Sequence, residues 1–78
     1  MHVEIITPDR PVFAGETSSV RFPGVDGQFE VLNNHAPLLA ALGPGEVVVA
    51  GAGAFRIGGG TVEVLRNRVL VLAESVSA

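Results

Sequence analysis

Apolar residues recur along this chain mainly at every second position, in short stretches cut by glycine and proline. Over Met1–Thr7, Val3 and Ile5 alternate with His2, Glu4 and Ile6. That period of two predicts a half-buried strand. Pro8 and Pro11 end it, and Val12–Phe13 is a short apolar piece before Gly15. Ser18–Phe22 alternates again, Val20 and Phe22 against Ser19 and Arg21, with Pro23-Gly24 as the expected stop. Gln28–Leu32 places Phe29 and Val31 inward. Between these two strands stands Asp26-Gly27, a short-range hairpin signal because glycine tolerates positive φ. Further strands are predicted over Glu46–Ala50, Ala54–Ile57, Thr61–Leu65 and Val69–Glu74, with turns at Gly51/Gly53, Gly58-Gly59-Gly60 and Arg66–Arg68. Pro37–Leu42 (PLLAAL) is apolar throughout, and so short a run does not separate one helical turn from a buried strand.

Several short strands at this spacing predict an all-β fold, a small and mostly antiparallel β-sandwich or flattened barrel. Two strands break the alternation: Val47-Val48-Val49 and Val69-Leu70-Val71-Leu72 are apolar on both sides. A two-layer sandwich has one interior, so its outer sides are ordinarily polar. Together with Leu38, Leu39 and Leu42, these runs are surplus apolar surface and predict an outer face covered by something else. Composition strengthens that expectation. Hydrophobic residues make up 47% of the 78 residues and charged residues 17%, below the roughly 25% usual for soluble domains; the mean hydropathy is +0.46. The length suits one domain, 1–78, that buries roughly 60–65% of its unfolded surface. With no cysteine, packing alone must stabilise it.

Charge narrows the partners. The net charge is −3, and Arg10, Arg21, Arg56, Arg66 and Arg68 are spread along a chain without lysine. A phosphate-tracking surface needs clustered cations, so nucleic acid is not the expected partner. The absence of Trp and Tyr leaves little to stack bases on. No stretch approaches the roughly 20 apolar residues of a membrane span. The N-terminus reads as a strand, neither signal peptide nor transit sequence, so a cytosolic or cytosol-facing location is expected.

Candidate chemistry is sparse. Ser18, Ser19, Ser75 and Ser77 lie in strands or at the end, outside any strained G-x-S-x-G turn. His2 and His35 are isolated from each other and from metal-ligand spacings. Glu63 and Glu74 could approach across a hairpin, but solvated surface is the better default. The glycines around Ala52 and Ala54 lack a following helix and a lysine, so they read as hairpin glycines rather than a phosphate loop. No catalytic residue, cofactor or metal is expected. Asn33-Asn34-His35-Ala36-Pro37-Leu38-Leu39 stands apart, polar turn residues directly before an apolar run. A loop capped by asparagine side chains and an interface edge centred on His35 fit it equally.

At that segment the chain resembles the N-terminal β-sandwich domain of the epsilon subunit of bacterial F-type ATP synthases, the counterpart of mitochondrial delta. "HVEIITPDRPVFAGE" resembles the family's opening strand, turn and short second strand. "PGVDGQFEVLNNHAPLLAAL" resembles its G-x-[FL]-G-[VI]…P-G-H-A-P-L-L block, and "GGGTVEVLRNRVLVLAESV" its closing segment. Glu30 stands where the family often has glycine, and Asn33-Asn34 where it has Pro-Gly. Many members continue into a C-terminal α-helical hairpin; nothing of that kind follows here, so the regulatory activity of those helices is not expected.

The resemblance implies a non-catalytic rotor protein of the central stalk that binds the gamma subunit and the c-ring and couples ion passage to ATP synthesis. It places the protein peripherally at the cytoplasmic face of the bacterial inner membrane. By position, the gamma-facing side includes Thr7, His35 and Ala40, to which the apolar run adds Leu38, Leu39 and Leu42. The c-ring-facing loop is Asp26, Gly27, Gln28 and Phe29. The other reading of the residues is a free-standing β-sandwich module that binds a small molecule or peptide in a closed apolar cavity.

Overall fold

The computed structural model describes residues 1–77 and contains ten strands. In chain order they are β1 (His2–Ile6), β2 (Pro11–Glu16), β3 (Ser19–Gly24), β4 (Gly27–Leu32), β5 (Leu38–Leu42), β6 (Gly45–Val49), β7 (Gly53–Ile57), β8 (Gly60–Leu65), β9 (Arg68–Ala73) and β10 (Val76–Ser77). Hydrogen bonding runs continuously in the order β10-β7-β6-β3-β5-β8-β9-β1-β2, with β4 on the other edge of β3. The path doubles back where Gly24 of β3 pairs Leu42 of β5. Two layers result, β10-β7-β6-β3-β4 and β5-β8-β9-β1-β2. All pairings are antiparallel except β1 with β9. The fold is the all-β sandwich that the period-two pattern predicts.

Alternation decides the core. Val3 and Ile5 of β1, Val20 and Phe22 of β3, Val47 and Val49 of β6, Val62 and Val64 of β8, and Val69 and Val71 of β9 are all buried. β-branched residues suit this pleated interior. No polar or charged side chain is buried among the described residues, so packing carries the stability. Phe22 and Phe29 face each other across the β3–β4 ladder at a centroid distance of 5.3 Å. Phe13 of β2 and Phe55 of β7 meet at 5.3 Å between the layers.

Several boundaries differ from the sequence expectations. β2 runs through Gly15 rather than stopping at Phe13, because it pairs β1 along its whole length. β3 continues through Pro23-Gly24. The Pro23 carbonyl accepts the Gly43 N–H at 2.8 Å, which shows that the main-chain groups of Pro23 face β5 and not β4. The missing proline N–H therefore costs the β3–β4 ladder nothing. The hairpin turn is consequently Val25-Asp26, with Gly27 already in β4 at φ +125°. Pro37–Leu42 resolves as strand. The turn between β8 and β9 is Arg66-Asn67, both at positive φ (52° and 61°), as a two-residue hairpin with matching twist requires. Glu63 pairs Leu70, while the Glu74 N–H bonds the Gly59 carbonyl at 2.9 Å, so the two carboxylates do not face each other across the hairpin. β10 lies beyond the last strand that spacing predicts and forms where Val76 pairs Ile57.

One glycine is dictated by a close approach. Gly60 has φ +151°, and a Cβ there would overlap the Leu72 carbonyl oxygen.

Candidate interaction surfaces

The registers of β5-β8-β9-β1-β2 give the outer side of that layer directly. One row runs Leu65, Arg68, His2, Glu16; the next Leu39, Glu63, Leu70, Glu4, Ala14; the third Ala41, Thr61, Leu72, Ile6, Pro11. Charged side chains therefore fall in the first two rows, and the third row carries none. Leu39 is 75% exposed, Leu72 47% and Leu65 46%, while Ile6 and Leu70 are half-buried. In the first two rows, His2 Nδ1 lies 2.8 Å from Glu16 Oε2 and His2 Nε2 lies 3.4 Å from Glu4 Oε1. Such exposed pairs contribute little to stability.

Thr7 follows β1 at the end of the third row. Its hydroxyl donates to the Arg10 carbonyl at 3.0 Å and accepts the Asp9 and Arg10 N–H groups at 3.3 and 3.2 Å. The hydroxyl thus closes the β1–β2 turn, and a depression of about 360 Å³ lies among Thr7, Ile6, Pro8, Leu72, Ala73 and Glu74. His35 stands at the opposite end, ahead of β5. Its N–H bonds the Leu32 carbonyl at 3.1 Å, and its Nδ1 lies 2.6 Å from the Ala36 carbonyl. Because a carbonyl only accepts, Nδ1 carries the proton in this contact. Asn67 Oδ1 accepts the neighbouring Asn34 N–H at 2.8 Å, and Asn33 Oδ1 accepts from the Met1 ammonium at 2.7 Å. Asparagine capping and a half-buried histidine coexist in this loop. Thr7 and His35 mark opposite ends of one face, with the exposed leucines between them.

The period of two divides the apolar run. Leu39 and Ala41 point outward; Leu38 and Ala40 pack against the core from its margin. Leu42 is 4% exposed and belongs to the core, which corrects its assignment to an interface: β5 places it inward, paired with Gly24 of β3. The hairpin residues Asp26, Gly27 and Gln28 are exposed and Phe29 is half-buried. They share with Leu38–Ala41 a depression of about 500 Å³. Val25, between the Pro23-Gly24 and Asp26-Gly27 signals and not singled out by the sequence, is 60% exposed on its rim. Leu70 and Leu72 are legible as surplus apolar residues, but only the register places Leu72 beside Ile6 and Leu70 beside Glu4. Among the described residues, no group of three or more His, Asp or Glu side chains is placed to hold a metal ion, and no helix is long and apolar enough to cross a membrane.

The family model of the ATP synthase delta/epsilon chain beta-sandwich domain matches residues 1–78. This chain belongs to that family. The ATP synthase epsilon chain of Salinibacter ruber is 42% identical over 95% of this chain, which spans 58% of that relative. The epsilon chain of Chlorobium limicola is 43% identical over 96% of this chain, which spans 90% of it. Among solved structures, the central stalk and c-ring of the Tetrahymena thermophila mitochondrial ATP synthase contains a chain that superposes with a TM-score of 0.85. The two are 19% identical, over 97% of this chain and 64% of that one. That likeness establishes the shared sandwich. Within the epsilon-type domain, the H-A-P-L element is the loop and first strand residue that carry His35 and Leu38.

Proposed function

We propose that this domain is a non-catalytic part of the central stalk of an F-type ATP synthase, binding the gamma subunit and abutting the c-ring at the cytoplasmic face of the membrane. Membership of the delta/epsilon family and the epsilon-chain relatives support the complex. The observation that carries the reading is the outer face of β5-β8-β9-β1-β2, where Leu39, Leu70, Leu72 and Ile6 stand in adjoining rows. A rotor contact must hold while torque passes through it, and apolar burial supplies adhesion without demanding one fixed set of polar partners.

Thr7, His35, Leu38, Leu39 and Ala40 form the gamma side in this reading, and Asp26–Phe29 the loop towards the c-ring. The one sandwich, 1–78, is the binding unit. The test is co-expression with the gamma subunit followed by co-purification and an ATPase assay of the isolated chain. The expected result is a stable gamma complex and no hydrolysis by the chain alone. Intrinsic hydrolysis, or failure to associate with gamma, would falsify the reading.

A further inference from the structure

The ladder between β3 and β5 stops almost as soon as it starts. The Gly43 N–H donates to the Pro23 carbonyl at 2.8 Å and the Val25 N–H to the Ala41 carbonyl at 3.1 Å. Beyond that rung the β3–β4 hairpin turns away at Val25-Asp26. Main-chain groups alternate sides along a strand, so the same edge of β5 next presents the Ala41 N–H and then both the N–H and the carbonyl of Leu39. β8 occupies the opposite edge of β5, and no strand of the described residues lies against this one beyond Leu42. The outer edge of β4 is open as well, since β4 pairs only β3. Both edges border the 500 Å³ depression, whose apolar floor includes Phe29, Leu38 and Ala40. On the other side of the sandwich, Phe13 and Phe55 close the layers together.

We propose that this open seam receives an extended segment of the partner polypeptide, which joins β5 as an added strand. The segment bonds the main chain at Leu39 and Ala41 and seats alternate apolar side chains over Leu38 and Ala40, on the β5 side of the depression. The occupant is a strand rather than a helix because a helix satisfies its own backbone. Laid in the seam it would bury the Leu39 N–H and carbonyl without partners, which is costly. Asp26 is the one charged residue lining the depression, so the segment is neutral or carries a single cation near the hairpin. This inference rests on the gamma-binding reading above: the segment belongs to the gamma subunit.

Amide hydrogen exchange of isotope-labelled chain, free and in complex with the gamma subunit, tests it. The Leu39 and Ala41 amides are expected to exchange at least tenfold more slowly in the complex. Cross-strand Cα–H contacts from Ala40 to gamma are expected alongside. If the complex forms while both amides keep their free rates, strand addition is overturned and the gamma-binding reading stands. If no complex forms, both fall. Slowed exchange in the concentrated chain alone would assign the seam to a second copy and overturn the proposal. As a second arm, Ala41→Pro removes one donor from an edge where proline is tolerated. It is expected to weaken gamma binding at least tenfold more than Ala41→Val, and equal weakening by the two overturns main-chain bonding. The exchange measurement on the unaltered chain decides the matter even where Ala41→Pro fails to fold.

Discussion

On the outer side of β3, β4, β6 and β7, Arg21 stands opposite Glu30 and Glu46 opposite Arg56. On the outer side of β5, β8, β9 and β1, Leu39 and Leu70 share a row with Glu63 and Glu4, and the next row, with Ala41, Thr61, Leu72 and Ile6, carries no charge. The inward sides of the two layers are alike, mostly valine with one or two larger residues. Folding therefore makes the same demand of both layers, and the outer sides are free to differ. Opposite charges paired across strands contribute a little and keep a surface solvated. Exposed leucines in adjoining rows contribute nothing to the isolated fold and become useful when a partner removes them from water.

The shared interior should be the most sensitive place. Phe22→Ala empties a fully buried site that supports Phe29 and is expected to cost about 3–5 kcal/mol. That is a large part of the roughly 4–12 kcal/mol available to a domain of this length. Urea unfolding reads it, and a loss below 1 kcal/mol would mean the core repacks freely. Gly60→Val belongs in the same class because the new Cβ meets the Leu72 carbonyl oxygen; it should appear as loss of folded protein in the same experiment.

The leucine face should separate binding from stability. Leu39→Asp is expected to leave the melting temperature within a few degrees, yet weaken gamma binding by about 2 kcal/mol, or roughly thirtyfold. Isothermal titration measures it, and unchanged affinity would remove Leu39 from the contact. His35→Asp, at the end of that face, should weaken binding about tenfold by placing charge at an apolar contact. The smallest effect belongs to the charged face: Glu46→Ala should change stability by less than about 0.5 kcal/mol and leave gamma affinity unaltered. A large binding loss there would reverse the comparison and move the interface to the other layer.

Much of this was legible in the chain. Val3/Ile5 and Val20/Phe22 alternate so regularly that their strands and inward sides follow from spacing alone. The surplus in Val69–Leu72 predicts an outer apolar face from spacing alone. Boundaries were harder where local punctuation and pairing disagree. Pro23 reads as a stop, yet it stays in β3 because its absent donor faces the side where pairing with β6 has already ended. Val76–Ser77 carries no periodic signal, and only its pairing with β7 makes it a strand.

The amino-acid sequence by itself determined which residues are inward where polar and apolar positions alternate, as in β1 and β3, since alternation is a local property of an extended backbone and needs no knowledge of neighbours. It also determined, through the H-A-P-L block and its flanking segments, the family to which the chain belongs. What only the tertiary structure decided is adjacency. Registers place Leu72 beside Ile6, put Thr7 and His35 at opposite ends of one face, and withdraw Leu42 into the core. They also leave the Leu39 edge of β5 without a partner strand while β3 turns away from it. These are long-range relations, set by which strands pair and where each pairing stops.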